Sequence, residues 1–301
     1  MTRLNTLITI NRFMIKILVT GSNGQLGKTF KHISEKFPKF DFSFIGLPDF
    51  DLRDKNKLNI YFTKNPIEYI INAAAYTRVD KAEEEPEEVN RTNINIVKNL
   101  CELSYNHTFR LIHISTDYVF DGTASKPYET NHPINPLGVY GMSKALAEQT
   151  ILNAEVDAWI IRTSWLFSPF GSNFVKTIFS SLQNKNKIDV VADQTGSPTY
   201  ALDLAQFLLH AISKKPDFKG KEIYHFTNAG ITTWENFARA IKKRTNNTNC
   251  IIHPVASKDH PTRAVRPKYT VLSCKKTKKE FNLNPNSWEL ALKDCLDNLK
   301  Y

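Results

Sequence analysis

Short apolar runs alternate with amphipathic stretches along the first half of the chain. The first run, from Ile15 to Val19, is nearly continuous, which suits a parallel strand covered on both faces. Runs of the same kind follow at 42–45, 69–71, 110–114 and 159–161. Stretches with helical spacing separate them, at 25–37, 55–62, 86–106 and 140–153. Strands and helices that alternate at such short intervals predict a doubly wound parallel sheet, a Rossmann-type α/β fold.

The pattern becomes less regular in the second half of the chain. Helices are predicted at 173–182, 200–213 and 233–244 and from 287 onward, with short strands at 189–191 and 223–226. We therefore predict a Rossmann domain over 14–167 and a smaller mixed α/β substrate lobe over 168–301, with about 189–215 returning to the first domain. Residues 1–13 are predicted to be an extension outside the fold, with Met14 as an alternative start.

Composition narrows the class of protein. The chain has 301 residues, 41% hydrophobic and 23% charged, as in an ordinary globular protein. Its net charge is +10, but the basic residues cluster only at 242–244 and 275–279, so we expect solvated helix faces and no nucleic-acid partner. No apolar run approaches the length of a membrane span. The four cysteines are far apart, which argues against disulfides and a zinc site and predicts a cytoplasmic protein without a metal.

Three glycines follow the first strand. Gly21 suits a tight turn, Gly24 leaves room for a pyrophosphate beside the backbone, and Gly27 allows the next helix to pack closely on the sheet. The start of that helix offers N–H groups and a partial positive charge to phosphates. The spacing therefore predicts a dinucleotide site, although an ordinary tight turn contains similar glycines.

A second group of residues suggests proton-transfer chemistry. Thr116 and Asp117 lie at a predicted strand end, and Tyr140 and Lys144 share one face of a later helix at i and i+4. A tyrosine has a pKa near 10, so its anion needs about 4 kcal/mol of stabilisation at pH 7, which a nearby desolvated ammonium would supply. About one Tyr-x-x-x-Lys/Arg is expected by chance, so the position of this one behind the glycine turn is what distinguishes it.

Several segments in order resemble the extended short-chain dehydrogenase/reductase family, and within it the dTDP-4-dehydrorhamnose reductases. They lie at 72–83, 115–122, 162–165, 173–177, 193–199 and 266–267. The resemblance implies that Thr116, Tyr140 and Lys144 are catalytic and that NADPH or NADH reduces the C4 keto group of dTDP-4-dehydro-6-deoxy-L-mannose. The product would be dTDP-L-rhamnose, a precursor of surface polysaccharide.

The resemblance also implies the binding residues. The cofactor would contact Gly21, Asn23, Gly24, Gln25, Leu26, Gly27, Asp51, Leu52, Ala73, Ala74, Ala75, Thr77, Asn93, Tyr140 and Lys144. The substrate would contact Thr77, Val79, Thr116, Asp117, Trp165 and Arg266. The residues alone leave other readings open: Trp165 as lobe packing, Arg266 as a solvated cation, and Asn93 as a helix-surface side chain.

Other activities of related proteins stay open to different degrees. Sugar-nucleotide dehydratases need a glutamate after the Thr-Asp pair, and here Tyr118 occupies that position, so we expect no elimination. Epimerase activity and reduction of another 4-keto sugar are not excluded. Some relatives are noncatalytic regulatory subunits of methionine adenosyltransferase, but those have lost catalytic residues that this chain keeps. Lys28 and Thr29 stand where some members carry a metal-binding glutamate, so we expect a monomer or weak homodimer without a bridging metal.

The cofactor preference is predicted from the end of the second strand. An acidic residue there would bind the ribose 2′-hydroxyl of NAD. The strand at 42–45 ends in Gly46-Leu47-Pro48, with Asp49 three residues on. We therefore expect both cofactors to work, with NADPH modestly preferred.

Overall fold

The computed structural model describes residues 14–245 and 249–299. Six parallel strands form its central sheet. They are β1 Ile15–Thr20, β2 Phe40–Ile45, β3 Tyr69–Asn72, β4 Arg110–Thr116, β5 Ala158–Thr163 and an edge strand Lys221–His225. Their spatial order is edge strand, β5, β4, β3, β1, β2. The chain reverses direction across the sheet between β1 and β3, and this is where doubly wound sheets bind ligands.

Helices cover both faces of this sheet and build much of the second half of the chain. They are α1 Gln25–Ile33, α2 Lys55–Lys64, α3 Val79–Ala82, α4 Pro86–Asn90, α5 Ile96–Ser104, α6 Val139–Asn153, α7 Phe174–Asn184, α8 Ala201–Lys214, α9 Trp234–Arg244, α10 Lys275–Phe281 and α11 Trp288–Asp297. A π-helical segment, Arg91–Asn95, joins α4 to α5. Within residues 14–245 and 249–299, no helix is both long and apolar enough to cross a membrane.

The two faces of the sheet bury different sets of side chains. On one face, Ile17 and Val19 of β1 lie in a cluster with apolar residues of α1 and α8. On the other face, Leu18 lies in a cluster with residues of α2, α5 and α6. Successive residues of β1 therefore point into opposite cores, as the continuous apolar run predicted. The doubly wound α/β fold is confirmed.

The second half adds a third apolar cluster, built from α7, α9 and α11. Three pairs of short strands accompany it: Lys187–Val191 with Ile251–Val255, Thr195–Gly196 with Thr232–Thr233, and Leu166–Phe167 with Thr199–Tyr200. Helix α8 lies against the central sheet, since its buried residues belong to the cluster of β1. The predicted boundary between 167 and 168 stays a prediction.

Most predicted elements are present, with bounds that shift by a few residues. Strand β2 begins at Phe40, two residues earlier than predicted, because the buried Phe40 pairs with Ile15. The strand Ile251–Val255 was not predicted, since His253 and Pro254 interrupt its pattern. Helix α10 contains the basic residues at 275–279, for which a solvated helix face is predicted, and buries Thr277 and Phe281. The predicted extension at 1–13 lies outside the described residues.

Candidate active site

The glycine turn lies at the point where β1 and β3 part. Gly21 has a φ of +66°, and a Cβ there would lie 2.7 Å from the backbone of Ala73 and Ala74. A Cβ at Gly27 would lie 2.4 Å from the carbonyl oxygen of Gly21. Gly24 caps α1 without a side-chain hydrogen bond, so the helix start presents backbone N–H groups and its dipole. The turn therefore fits a dinucleotide pyrophosphate, which binds at such helix starts.

Three side chains of the turn have partners inside the protein. The Asn23 amide donates to the carbonyl oxygen of Leu47 (2.6 Å), and Leu26 lies in the core. The Gln25 Oε1 accepts hydrogen bonds from Ser168 (3.0 Å) and Asn173 (2.9 Å). Any cofactor contact of Leu26 is therefore through the backbone, and Gln25 ties the turn to the second half of the chain.

Asp51 and Leu52, two of the implied cofactor contacts, lie beside an ion pair. The Asp51 carboxylate accepts from the Arg53 side chain at 2.8–3.1 Å, and this guanidinium holds the pKa of Asp51 below its usual value. Leu52 is buried in the core, so only its backbone can face a ligand. Asp49, near the end of β2, is exposed.

The segment after β3 is fixed by Asn93 rather than left as a free loop. The Asn93 side chain is 1% exposed, accepts from the Tyr76 backbone N–H (2.7 Å) and donates to the Tyr76 carbonyl (3.2 Å) and to Ser143 Oγ (2.9 Å). It therefore joins this segment to α6. The interpretation of Asn93 as a surface side chain is wrong, and its bonds give it a positioning role. Ala73, Ala74 and Ala75 are partly buried, Thr77 is exposed, and Val79 begins α3.

Thr116, Tyr140 and Lys144 come from two adjacent elements. Thr116 ends β4, and its Oγ1 accepts from the Tyr118 N–H (3.2 Å) and donates to Asp117 (3.1 Å). Tyr140 lies in the first turn of α6, with its ring 5.7 Å from that of Tyr118. Gly141 allows this approach, because a Cβ there would lie 2.3 Å from the carbonyl oxygen of Tyr118.

The electrostatics differ from the sequence-based expectation. Desolvation raises the pKa of Tyr140, with smaller raising effects from Asp117 and Tyr118, while the Thr116 hydroxyl lowers it. The Lys144 amine donates to the Ile114 carbonyl (2.7 Å) and lies 2.9 Å from Nε2 of His113. Burial lowers the pKa of Lys144 to about 7, against a raising effect of Glu148. The tyrosine pKa is thus raised and not lowered, because burial, together with Asp117 and Tyr118, outweighs the lowering effect of the Thr116 hydroxyl.

Asp117 is the other perturbed group of the site. Its carboxyl is 2% exposed, and burial raises its pKa to about 7, although the nearby hydroxyls of Thr270 and Thr116 act in the opposite direction. A carboxyl with this pKa is partly protonated at neutral pH, so it can donate as well as accept a hydrogen bond.

Arg266 and Trp165 are two of the residues predicted to contact the substrate. Arg266 bonds through its guanidinium to Asp80 and to the Tyr118 hydroxyl (3.3 Å), and the Tyr118 ring lies 5.7 Å from that of the candidate catalytic Tyr140. Trp165 follows β5 with a φ of +48°, and its ring stacks on Trp234 at 3.5 Å. Its interpretation as lobe packing thus has direct support, and the residue as a whole is partly exposed.

Residues 15–301 match the family model described as RmlD substrate binding domain. The chain belongs to this family.

Relatives of the family are similar over nearly the whole chain. A dTDP-4-dehydrorhamnose reductase of Aggregatibacter actinomycetemcomitans is 34% identical over 288 residues, covering 93% of this chain and 98% of the relative. The spore coat polysaccharide biosynthesis protein SpsK of Bacillus subtilis is 35% identical, covering 94% and 97%. The crystal structure of the dTDP-4-dehydrorhamnose reductase of Bacillus anthracis in complex with NADP superimposes with a TM-score of 0.88 at 32% identity, covering 94% and 99%. The family resemblance predicted from the motifs is confirmed.

Sequence reasoning missed the buried polar residues that lie between α6 and the strands next to the candidate site. His113, Glu148 and Arg162 are each at most 3% exposed. Glu148 accepts from Ser115 and from Arg162 (2.6 Å), which places a buried ion pair beneath α6. A signal was available, because His113 and Arg162 each interrupt an otherwise apolar strand.

Proposed function

We propose that the protein reduces the C4 keto group of dTDP-4-dehydro-6-deoxy-L-mannose to give dTDP-L-rhamnose, with NADPH or NADH as reductant. The observation that carries the proposal is that Thr116, at the end of β4, and the glycine turn after β1 lie at the same edge of the parallel sheet, with Tyr140 in the first turn of α6, in a chain of this reductase-containing family. Since this is the carboxyl edge of the sheet, a cofactor bound at the glycine turn and a substrate bound at Tyr140 would meet there.

The reduced nicotinamide, when bound, supplies the hydride for C4. Tyr140 keeps its proton at neutral pH, because its pKa is raised, and donates it to the carbonyl oxygen as negative charge develops there. The Thr116 hydroxyl orients the same oxygen by a hydrogen bond. Lys144, with a pKa of about 7, can be an ammonium or an amine at neutral pH and adjusts the charge behind the tyrosine.

The sugar nucleotide is proposed to lie between the two halves of the chain, over 14–167 and 168–301. Asp117, Thr77, Val79, Trp165 and Arg266 would line its path. Arg266 suits a diphosphate because a guanidinium can bind two phosphate oxygens at once. On substrate binding, Arg266 would exchange its bond to Asp80 for one to the phosphate, so Asp80 is its partner when no substrate is bound.

The test is a coupled assay on the purified protein. Incubation with dTDP-4-dehydro-6-deoxy-L-mannose and NADPH should consume the reduced nicotinamide and form dTDP-L-rhamnose, identified by mass and by NMR of the sugar. Other dTDP-4-keto-6-deoxy sugars, tested in parallel, would reveal a different 4-ketoreductase. If none of these sugars leads to consumption of the reduced nicotinamide, the proposal is refuted.

Elimination and epimerisation are tested in the same format. With dTDP-glucose and NAD, no 4-keto-6-deoxy product should form, because Tyr118 stands where elimination requires a glutamate and its pKa is raised by burial. An inverted sugar formed without net use of the nicotinamide would instead indicate an epimerase.

We further propose that both cofactors work and that NADPH is modestly preferred. In support, the carboxylate of Asp51 is held by Arg53 and Asp49 is exposed. The comparison is kcat/KM for each cofactor at one ionic strength. A preference for NADH beyond about tenfold, abolished in Asp49→Asn, would show that Asp49 reaches the ribose.

The protein is proposed to act in the cytoplasm as a monomer or weak homodimer, without nucleic acid and without a bridging metal. Sedimentation analysis over a range of concentrations, with and without a chelator, tests the oligomeric part. A dimer that persists at low concentration and dissociates on chelation would contradict it.

A further inference from the structure

A chain of buried polar groups runs beneath the candidate site. Thr20 at the end of β1 donates to Asn72 at the end of β3 (Oγ1 to Oδ1, 2.7 Å). The Asn72 amide lies 3.0 Å from Nδ1 of His113 on β4, and Nε2 of His113 lies 2.9 Å from the amine of Lys144 on α6. All four side chains are at most 2% exposed. The chain thus crosses three strands and links the residue before the glycine turn to the candidate catalytic lysine.

Hydrogen-bond chemistry allows two arrangements of the bonds from Asn72 through His113 to Lys144. In the first, the Asn72 NH₂ donates to Nδ1 of His113, so the imidazole carries its hydrogen on Nε2 and donates it to Lys144, which must be a neutral amine. In the second, Lys144 is an ammonium that donates to Nε2, and Nδ1–H donates to the oxygen of an Asn72 amide turned by half a rotation. The amide NH₂ then donates to the Thr20 hydroxyl oxygen, which reverses the bond between these two side chains. Both leave the bond from Lys144 to the Ile114 carbonyl intact.

The imidazole itself stays neutral in both arrangements. Burial and the nearby charge of Lys144 hold the pKa of His113 well below its ordinary value. The other charged groups here are Glu148, one turn further along α6, and Arg162 of β5, and these two bind each other. Within this buried chain Lys144 is therefore the group that changes charge near pH 7, and Asp117, whose pKa is also about 7, bonds to Thr116 instead.

We propose that His113 is a positioning residue for the proposed reduction, which keeps a hydrogen-bond partner for Lys144 in both of its protonation states by exchanging imidazole tautomers. When the ammonium becomes an amine, one proton leaves to solvent and the imidazole keeps one hydrogen, on Nε2 instead of Nδ1. A lysine without such a partner would lose a hydrogen bond in one of its two states. The catalytic role of His113 rests on the proposed function, whereas the exchange of its tautomers does not.

The direct test reads the tautomer in the protein labelled with ¹⁵N-histidine. The His113 resonances are assigned by their absence in the variant His113→Gln. Below about pH 7 we expect the hydrogen on Nδ1, and above it on Nε2, with no charged imidazole in between. In Lys144→Met the exchange should disappear. A single tautomer at every pH, or an imidazolium forming near pH 6.5, would overturn the inference even if the protein proves to have no reductase activity.

A kinetic test uses two isosteric replacements. Glutamine places an amide group near Nε2 and can still bond to Lys144, whereas asparagine places it near Nδ1 and bonds only to Asn72. We expect His113→Asn to lower kcat about tenfold, or about 1.4 kcal/mol, and His113→Gln to stay within about threefold of the wild type. His210→Gln, whose histidine bonds to the Phe281 carbonyl on α10, is the control and should be unchanged. Equal losses in both His113 variants, or none in His113→Asn, would contradict the positioning role.

Discussion

The clearest energetic consequence of the site is that the buried Lys144 makes the stability of the protein depend on pH. The folded protein lowers the pKa of this amine from 10.5 to about 7, mainly by desolvation. The unfolded chain therefore binds more protons than the folded one between these two values. Stability contributed through this residue consequently rises as pH increases from about 7 to 10.5, and is constant below that window.

The size of the effect follows from the two pKa values. Each pKa unit corresponds to about 1.4 kcal/mol, so at pH 7 the lysine costs the folded state about 4 kcal/mol. At pH 9.5 the remaining cost is about 1 kcal/mol, because only one unit separates this pH from the unfolded value. We therefore expect wild type to gain about 3 kcal/mol over this interval relative to Lys144→Met. The hydrogen bonds lost in the variant do not enter this difference as long as their cost is independent of pH.

Urea denaturation at pH 7 and pH 9.5 measures the difference directly. Lys293→Met is the matched control, since that lysine is 59% exposed and pairs with Asp297 one turn away. Its stability should follow wild type at both pH values. If wild type and Lys144→Met change in parallel within about 1 kcal/mol, Lys144 is charged throughout and the reasoning about its burial fails.

Three further predictions concern the site and its support. Tyr140→Phe should lower kcat by about 10²–10⁴-fold with NADPH affinity, measured by fluorescence titration, unchanged; near-wild-type turnover would exclude Tyr140 as the acid. Gly27→Ala should weaken NADPH binding at least about tenfold, because its Cβ would lie 2.4 Å from the Gly21 carbonyl; equal affinity would show that the turn is not the phosphate site. Glu148→Ala should cost about 3–5 kcal/mol in urea denaturation, since its buried ion-pair partner is left behind, and a loss under about 1 kcal/mol would show that the pair is solvated.

The fold could be predicted from sequence because its strands are buried on both faces. A continuous apolar run such as β1 has few alternative structures when a glycine turn and an amphipathic helix follow it. Elements of the second half were harder, because they are short or lie at an edge. The strand Ile251–Val255 contains Pro254, which local patterns assign to a turn, and only its pairing with Lys187–Val191 makes it a strand.

The candidate site was predictable where a motif combines residue type with position, as for Tyr140 and Lys144. Its electrostatics were not, because a pKa depends on burial and on partners distant in sequence. His113 and Asn72 lie 31 and 72 residues before Lys144, and nothing in the local sequence links the three. The same holds for Arg266, whose bond to Asp80 spans 186 residues.

The register of α6 explains how so few residues can hold the site. Tyr140, Lys144 and Glu148 recur every four residues, so they lie on one face of the helix. Lys144 is tied to β4 through His113 and Ile114, and Glu148 is tied to β5 through Arg162. A shift of one residue along the helix would turn this face by about 100° and break both ties at once. Burying the lysine and the ion pair lowers the stability of the fold. In return, these bonds fix the rotation of α6 that presents Tyr140 beside Thr116.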